Sequence, residues 1–536
     1  MNVRAVLALC VALLPSVAPA SPAATAEVSI DIGRVVRQIP TTLYGANIEW
    51  INDGQGLWSA QQGKLDPKAI ELARKLGPTL LRFPGGVFSD AYHWRAAIGA
   101  QSSRPTLAHY PNGPTSPAHF GPVEAAEFAH AIGADLLLTV NAGSGTPQEA
   151  ADWLRFMRRT GGPEERLWEI GNELYMKGDL SAATMTAAAY AQRFREFAAA
   201  MRAVDPNVRL CAIGGLNYGA YHFIADDRWT EVLLERAAPQ MDTLCVHNAY
   251  APIVISPGHS VDPRSVYLAM LAAPQQIEAN LRDLSTLLAR FEQSGTPISI
   301  AVTEWGPFFH VSPESPWVDH VKTMGSALFV ASVLNVLARA PRVDTATFFK
   351  LNDIGFMGWI GQRNGVWTAT APYQAFELYR RHLGRTLVAS HLTGPTFDAH
   401  ALGVVAKLEK VPLVDAVATL DERTLTAIFV NRSDTQAIEA SIELEGVKGF
   451  SGATVNGLYA DSLDSNTGTE LPQVPGIHWA QQADLGRFTR GGPNEIHTLS
   501  ESLPANAAAA GSPVKLRYTL RPLSITCVTF TEVRRR

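Results

Sequence analysis

Cysteine is scarce, four in 536 residues, and Cys10 falls in an apolar N-terminal run, leaving Cys211, Cys245 and Cys527 with no C-x-x-C spacing. A disulfide framework is therefore not indicated. Cys211 and Cys245 sit in the short β-like runs RLCAIGG and TLCVHNAY, where a free thiol packs as a small hydrophobe. Positive charge is not in excess either: 45 Lys and Arg against 50 Asp and Glu give a formal net charge of −5. That excludes the basic surface nucleic-acid binding requires. There is no H-E-x-x-H, no Walker loop and no G-x-S-x-G, so no metal or organic cofactor is implied by motif. Long apolar runs are missing as well. The longest, Ala5–Leu14, is well short of the roughly 20 residues that cross a bilayer as a helix. What remains is a chain 46% hydrophobic and 18% charged, too apolar for disorder and long enough for two or more domains.

Arg4, the apolar run, Pro15 and the small residues Ala18-Pro19-Ala20 read as a secretory signal over residues 1–20, cleaved after Ala20 or after Ala26. This predicts a secreted or periplasmic protein, free of the membrane once cleaved. An uncleaved anchor is the alternative.

From Leu43 to Leu351, short β-rich runs alternate with segments of helical period. The runs are LYGANIE, TLLRFPG, DLLLTVN, LWEIGNE, RLCAIGG, DTLCVHN, ISIAVTE and TATFFKL. Eight such units predict a (β/α)8 barrel over residues 41–386, with a doubly wound open sheet as the other arrangement. Between them, ADWLRFMRRT, YAQRFREFAAAMRAV and QQIEANLRDLSTLLARFEQ place apolar residues at steps of three and four, as outer helices do. Beyond Leu387, alternating runs such as TLTAIFVNRS and AIEASIELEG predict an all-β sandwich over 387–536, and the alternating segment 27–40 is expected to pair into it.

In a parallel barrel the C-terminal ends of the strands converge on one mouth. Glu173 closes the fourth run and Glu304 the seventh, so they face each other there. Two carboxylates on opposite walls are what glycoside hydrolysis uses, one as nucleophile or base and one as proton donor. Asn172, beside Glu173, can hydrogen-bond a sugar hydroxyl next to the reacting carbon. Trp305, next to Glu304, is a candidate sugar contact, and Arg82 ends the second run ahead of Pro84-Gly85-Gly86, a fixed cation beside a backbone that allows close approach.

RFPGGVFSDAYHWRAAIG, VNAGSGTPQEAADWLRFM, LWEIGNELY, VTEWG and APYQAFELYRRHLG, in this order and preceded by LYGANIEW, resemble family 51 glycoside hydrolases, chiefly α-L-arabinofuranosidases. The resemblance implies Glu173 as general acid/base, Glu304 as nucleophile, and Asn172 and Arg82 as ligands of the site. It further implies Glu49 and Tyr250 as contacts to sugar hydroxyls, and His247 as a residue touching substrate or nucleophile. Departures bear on the sugar. Val87 stands where many relatives have Asn or Cys, Phe308 near the place of a usual Trp, and Lys350 and Asp353 where Gln and Asn are common. Lys350 either pairs with Asp353 or faces an acidic or unusual sugar. The expected activity is a retaining, exo-acting α-L-arabinofuranosidase that works on an oligosaccharide or polysaccharide without metal or cofactor. The alternatives are the same chemistry on another sugar (galactofuranosidase, β-xylosidase, β-glucuronidase, endoglucanase) or a non-catalytic carbohydrate-binding protein.

Overall fold

Eight short apolar runs become eight parallel strands that close on themselves. The computed structural model describes residues 24–535 apart from 177–182, 216–227, 255–261, 293–296, 310–320, 354, 364–365, 466, 468–494 and 508–512. The expected signal segment thus lies outside the described residues. The barrel strands are Gly45–Asn47, Leu80–Phe83, Asp135–Val140, Glu165–Ile170, Leu210–Ile213, Thr243–Val246, Ser299–Phe309 and Val343–Phe348. Each pairs in parallel with the next, and the eighth returns to the first through Thr347 opposite Gly45 and Phe348 opposite Ala46. That closure excludes the open sheet.

The outer helices start and stop where local chemistry dictates. Asp66 and Thr146 cap the helices Pro67–Leu76 and Pro147–Thr160 by accepting backbone N–H groups, and Gly77 and Gly161 end them in left-handed conformation. The three helical stretches read from sequence overlap the helices Pro147–Thr160, Ala187–Arg202 and Pro263–Ala289, the second and third running a few residues past the helix ends.

The second unit is a β-sandwich built on a nine-stranded sheet with its own apolar core. Ala24–Gln38 lies inside that sheet, antiparallel to Thr386–Thr393 and parallel to Ile438–Glu445, so the chain's N-terminal strand is held between two strands from its far end. Between the units lies the helix Met324–Arg339, buried from Met324 through Ala338. A polar network ties it to the sandwich. Arg339 donates to Glu278 at 2.9 Å and to Asp415 at 3.0 Å, Asn335 Nδ2 donates to Asp415 at 3.0 Å, and Arg432 lies 3.4 Å from Asp415. Burial pushes the Asp415 carboxyl up, but Arg339, Arg432 and the Asn335 amide outweigh it and hold the group below the ordinary carboxylate range.

A group whose folded pKa is depressed adds stability above its unfolded pKa, and that stability is lost as pH falls through the folded value. Asp415→Asn should therefore lower the thermal midpoint at pH 7, by about 2–4 kcal/mol of stability, because Arg432 loses its counter-charge and Arg339 keeps only Glu278. The difference from wild type should shrink below about pH 4. Midpoints measured across pH 3–7 check this, and a pH-independent difference would contradict it.

Candidate active site

Side chains alternate along a strand, so moving two residues towards the C-terminus keeps a side chain inside the barrel and raises it one layer. Leu80, Leu137, Leu167, Cys211, Cys245 and Ala301 form one buried apolar layer. Two residues on, five of those strands carry Arg82, Thr139, Glu169, His247 and Thr303, all buried. The floor of the barrel is thus apolar and the layer beneath its mouth polar. In the lower layer Cys211 and Cys245, on neighbouring strands, form a disulfide with Cα atoms 5.8 Å apart. This corrects the reading of both as free thiols: strand register, invisible in the sequence, brings them together.

Arg82 organises the polar layer. Its Nε donates to Glu169 Oε2 at 2.6 Å, Nη1 to Asn47 at 2.8 Å and to Glu304 Oε1 at 2.8 Å, and Nη2 to the Asn172 side-chain oxygen at 2.6 Å. Burial works against its charge, but Glu169 and Glu304 outweigh it and raise its pKa further. Glu304, 5% exposed, receives the Tyr250 hydroxyl at 2.7 Å on its other oxygen. Across from it, Glu173 Oε1 lies 2.8 Å from His247 Nδ1, which is itself 3.7 Å from Glu304 Oε2. An oxygen of Glu173 and one of Glu304 come within 4.8 Å.

Glu173 has φ +43°, in the left-handed region that non-glycine residues seldom adopt. The turn that holds it is pinned by Asp90, whose carboxylate accepts the backbone N–H groups of Asn172 (2.8 Å), Ala142 (3.1 Å) and Gly143 (3.0 Å). Burial raises Asp90 to about 7 against these three donors.

A second buried group lines the mouth. Lys350 pairs with Glu49 and, at 3.0 Å, with Asp353. Burial disfavours the Lys350 charge, but the two carboxylates outweigh it and raise its pKa, while burial raises that of Glu49. Gly85, at φ +81°, lies so close that a Cβ would meet Ile48 O at 2.6 Å and Glu49 Cγ at 2.9 Å. The loop after the second strand therefore rests on Glu49.

Of the residues singled out in the sequence, Glu49, Arg82, Asn172, Glu173, His247, Tyr250, Glu304 and Lys350 come together at this mouth. Two differ from expectation in what they touch. Trp305 is fully buried against Phe348 and Trp359, with ring centroids 6.2 and 6.0 Å away, and packs as core where a sugar contact was expected. The Tyr250 hydroxyl is directed at Glu304. Sequence reasoning missed Glu169, Thr303, Thr139, Asn47 and Asp90. Glu169 and Thr303 were findable by stepping two residues from Leu167 and Ala301, whereas Asp90 lies in a turn with no periodic signal. Glu173, His247 and Glu304 also have a spacing that a cation could bridge. Arg82, Tyr250 and the His247–Glu173 contact already engage these groups, and no metal is assigned to them.

The family model described as "Alpha-L-arabinofuranosidase 1 domain" matches residues 72–232, and that described as "Alpha-L-arabinofuranosidase C-terminal domain" matches 303–489. An intracellular exo-α-(1→5)-L-arabinofuranosidase of Halalkalibacterium halodurans is 24% identical over 80% of this chain and 88% of its own length. An exo-α-(1→6)-L-arabinofuranosidase of Bifidobacterium longum is 25% identical over 76% and 86%. The α-L-arabinofuranosidase of Thermotoga maritima, crystallised with arabinose, superposes with a TM-score of 0.75 over 94% of this chain and 99% of its own, at 23% identity. The expectation of a secreted or periplasmic protein is corrected by these comparisons: the Halalkalibacterium enzyme is named intracellular, and the word recurs in the names of further relatives. No helix among the described residues is long and apolar enough to cross a membrane. With two arabinofuranosidase domain matches in sequence order on a barrel of this architecture, the chain belongs to the α-L-arabinofuranosidase-like glycoside hydrolases of family 51.

Proposed function

We propose that the protein is a retaining, exo-acting α-L-arabinofuranosidase in which Glu304 is the nucleophile and Glu173 the general acid/base. The observation that carries this reading is the carboxylate separation, oxygen to oxygen within 4.8 Å. Retaining enzymes hold the pair about 5–5.5 Å apart and inverting enzymes about 6.5–9.5 Å, to admit a water. In the first step Glu304 bonds to the anomeric carbon while Glu173 gives a proton to the departing glycosidic oxygen. In the second, Glu173 takes a proton from water as that water displaces Glu304.

The surroundings support these roles. Arg82 and Tyr250 fix the two Glu304 oxygens, aiming the carboxylate. Asn172 Nδ2 is buried without a hydrogen-bond partner among the described residues, and such a donor suits the hydroxyl next to the reacting carbon. Glu49 and Lys350 form the wall beyond. Because Glu49 and Asp353 balance the Lys350 charge, that wall weighs against a uronic acid as the preferred sugar. The names of the relatives support terminal arabinofuranose on an oligosaccharide or polysaccharide. We assign the chemistry to residues 41–386 and a bracing role to 387–536 with the segment 27–40.

Hydrolysis of aryl α-L-arabinofuranoside beside β-xylopyranoside, β-glucuronide and galactofuranoside tests the reading. The arabinofuranoside should lead by about 10²-fold or more in kcat/KM, since a site built to hydrogen-bond one pattern of hydroxyls leaves buried groups unpaired with another. A lead for another sugar would overturn the specificity, and no turnover of any would overturn the catalytic reading.

A further inference from the structure

Both oxygens of the buried Glu169 carboxylate are acceptors. Oε2 takes the Arg82 Nε–H at 2.6 Å and the Thr139 hydroxyl at 2.7 Å, and Oε1 takes the Thr303 hydroxyl at 2.8 Å. The Thr303 proton is thereby directed at Glu169, and its other side offers a lone pair. That lone pair lies 3.2 Å from His247 Nε2, so Nε2 carries a proton. On the opposite edge of the ring, Nδ1 faces Glu173 Oε1 at 2.8 Å. If the ring is neutral, Nδ1 is a bare acceptor and the proton between the two comes from Glu173. If the ring is charged, Nδ1–H donates to the Glu173 carboxylate. In both forms one proton lies between Nδ1 and Oε1.

We infer that Thr303, anchored by Glu169, is a positioning residue that fixes His247 in its Nε2–H form, so that His247 and Glu173 hold the acid/base proton jointly. The inference deepens the proposed two-step reading and rests on it. The charged groups facing the ring are Glu173, Glu304 and Arg82, with Glu169 behind Thr303. Burial opposes a charge on His247, but Glu304 and Glu173 outweigh burial and Arg82 and push its pKa up, which favours retention of the shared proton. In the first step this proton leaves the pair for the glycosidic oxygen as the glycosidic bond breaks and Glu304 bonds to carbon. In the second, a proton from water returns to Glu173 as the ester bond to Glu304 breaks, restoring the pair. Without the Thr303 acceptor the ring can adopt the Nδ1–H form, which donates to a Glu173 carboxylate and lets the pair lose its proton at lower pH.

Thr303→Val, close in shape but without the hydroxyl, and Thr303→Ser, which keeps it, test this. Thr303→Val should move the basic limb of the kcat/KM profile on an aryl arabinofuranoside down by about half to one pH unit. The loss should be larger with poor leaving groups, and Thr303→Ser should restore the profile. In histidine-labelled protein, with His247→Asn to assign the signal, imidazole NMR should report Nε2–H for His247 in wild type and a mixture in Thr303→Val. An unmoved limb with His247 still Nε2–H in Thr303→Val would overturn the inference. So would equal shifts in the Val and Ser variants, which would mark packing alone. If wild type turned over no glycoside, the functional reading would fail, while the tautomer signal would still decide the role of Thr303.

Discussion

Glu304→Ala is expected to lower kcat/KM on an aryl arabinofuranoside by about 10⁴-fold or more, whatever the leaving group. The reason is positional. Arg82 and Tyr250 hold the Glu304 oxygens, so no other carboxylate can swing into its place, and Glu173 is held on the far side by His247. Glu173→Ala should behave differently. Loss of a general acid costs about 10²–10⁴-fold, and the cost falls as the leaving group becomes more acidic and needs less protonation. The first step should then be nearly restored on a dinitrophenyl glycoside, with the glycosyl-enzyme accumulating because water lacks its base. Burst kinetics on that substrate read this directly. Equal defects of the two variants across a leaving-group series would contradict the assignment of one as nucleophile and the other as acid/base.

How much of this was legible follows from where each residue sits. The eight strands could be read because each is a short apolar run between amphipathic helices, and their number and parallel sense favoured a barrel, but only the pairing of the eighth strand with the first closes it. Glu173 and Glu304 stood out because each is the polar residue that ends its run. Glu169 and Thr303 lie one layer deeper, inside the runs, where a polar residue is masked by apolar neighbours that face the helices: Trp168 and Ile170 flank Glu169, and Val302 precedes Thr303. The Cys211–Cys245 pair needed the register of two strands, which sequence does not state. Trp305 misled because an aromatic beside a carboxylate suggests a sugar platform, whereas a register shift between Val302 and Trp305 breaks the alternation that keeps Ala301 and Thr303 inside, so that Glu304 faces the site and Trp305 packs in the core behind the strand. Asp90 acts by accepting backbone N–H groups from two other loops, an interaction written in no side-chain pattern.

The same layering sets the second large effect. Arg82 is fully buried and meets Glu169, Asn47, Glu304 and Asn172 at once, a geometry only a planar guanidinium can serve. Arg82→Met should destabilise the protein by about 3–5 kcal/mol, because two buried carboxylates lose their cation. Left unpaired, they take up protons, and a carboxyl whose folded pKa is raised above its unfolded value favours folding below the unfolded pKa and loses that advantage as pH rises through the folded value. The deficit against wild type should therefore be largest near pH 8 and smaller near pH 5. Arg82→Lys keeps the charge but cannot span four acceptors, so it should recover part of the stability while its activity stays low, with Asn172 no longer oriented and Glu304 held through Tyr250 alone. Thermal midpoints of the three proteins at pH 5 and pH 8, beside their kcat/KM, separate the charge from its geometry. A Lys variant with wild-type activity would show that the cation alone suffices, and a Met variant with the same midpoint as wild type at pH 8 would show that Glu169 and Glu304 are not held by Arg82.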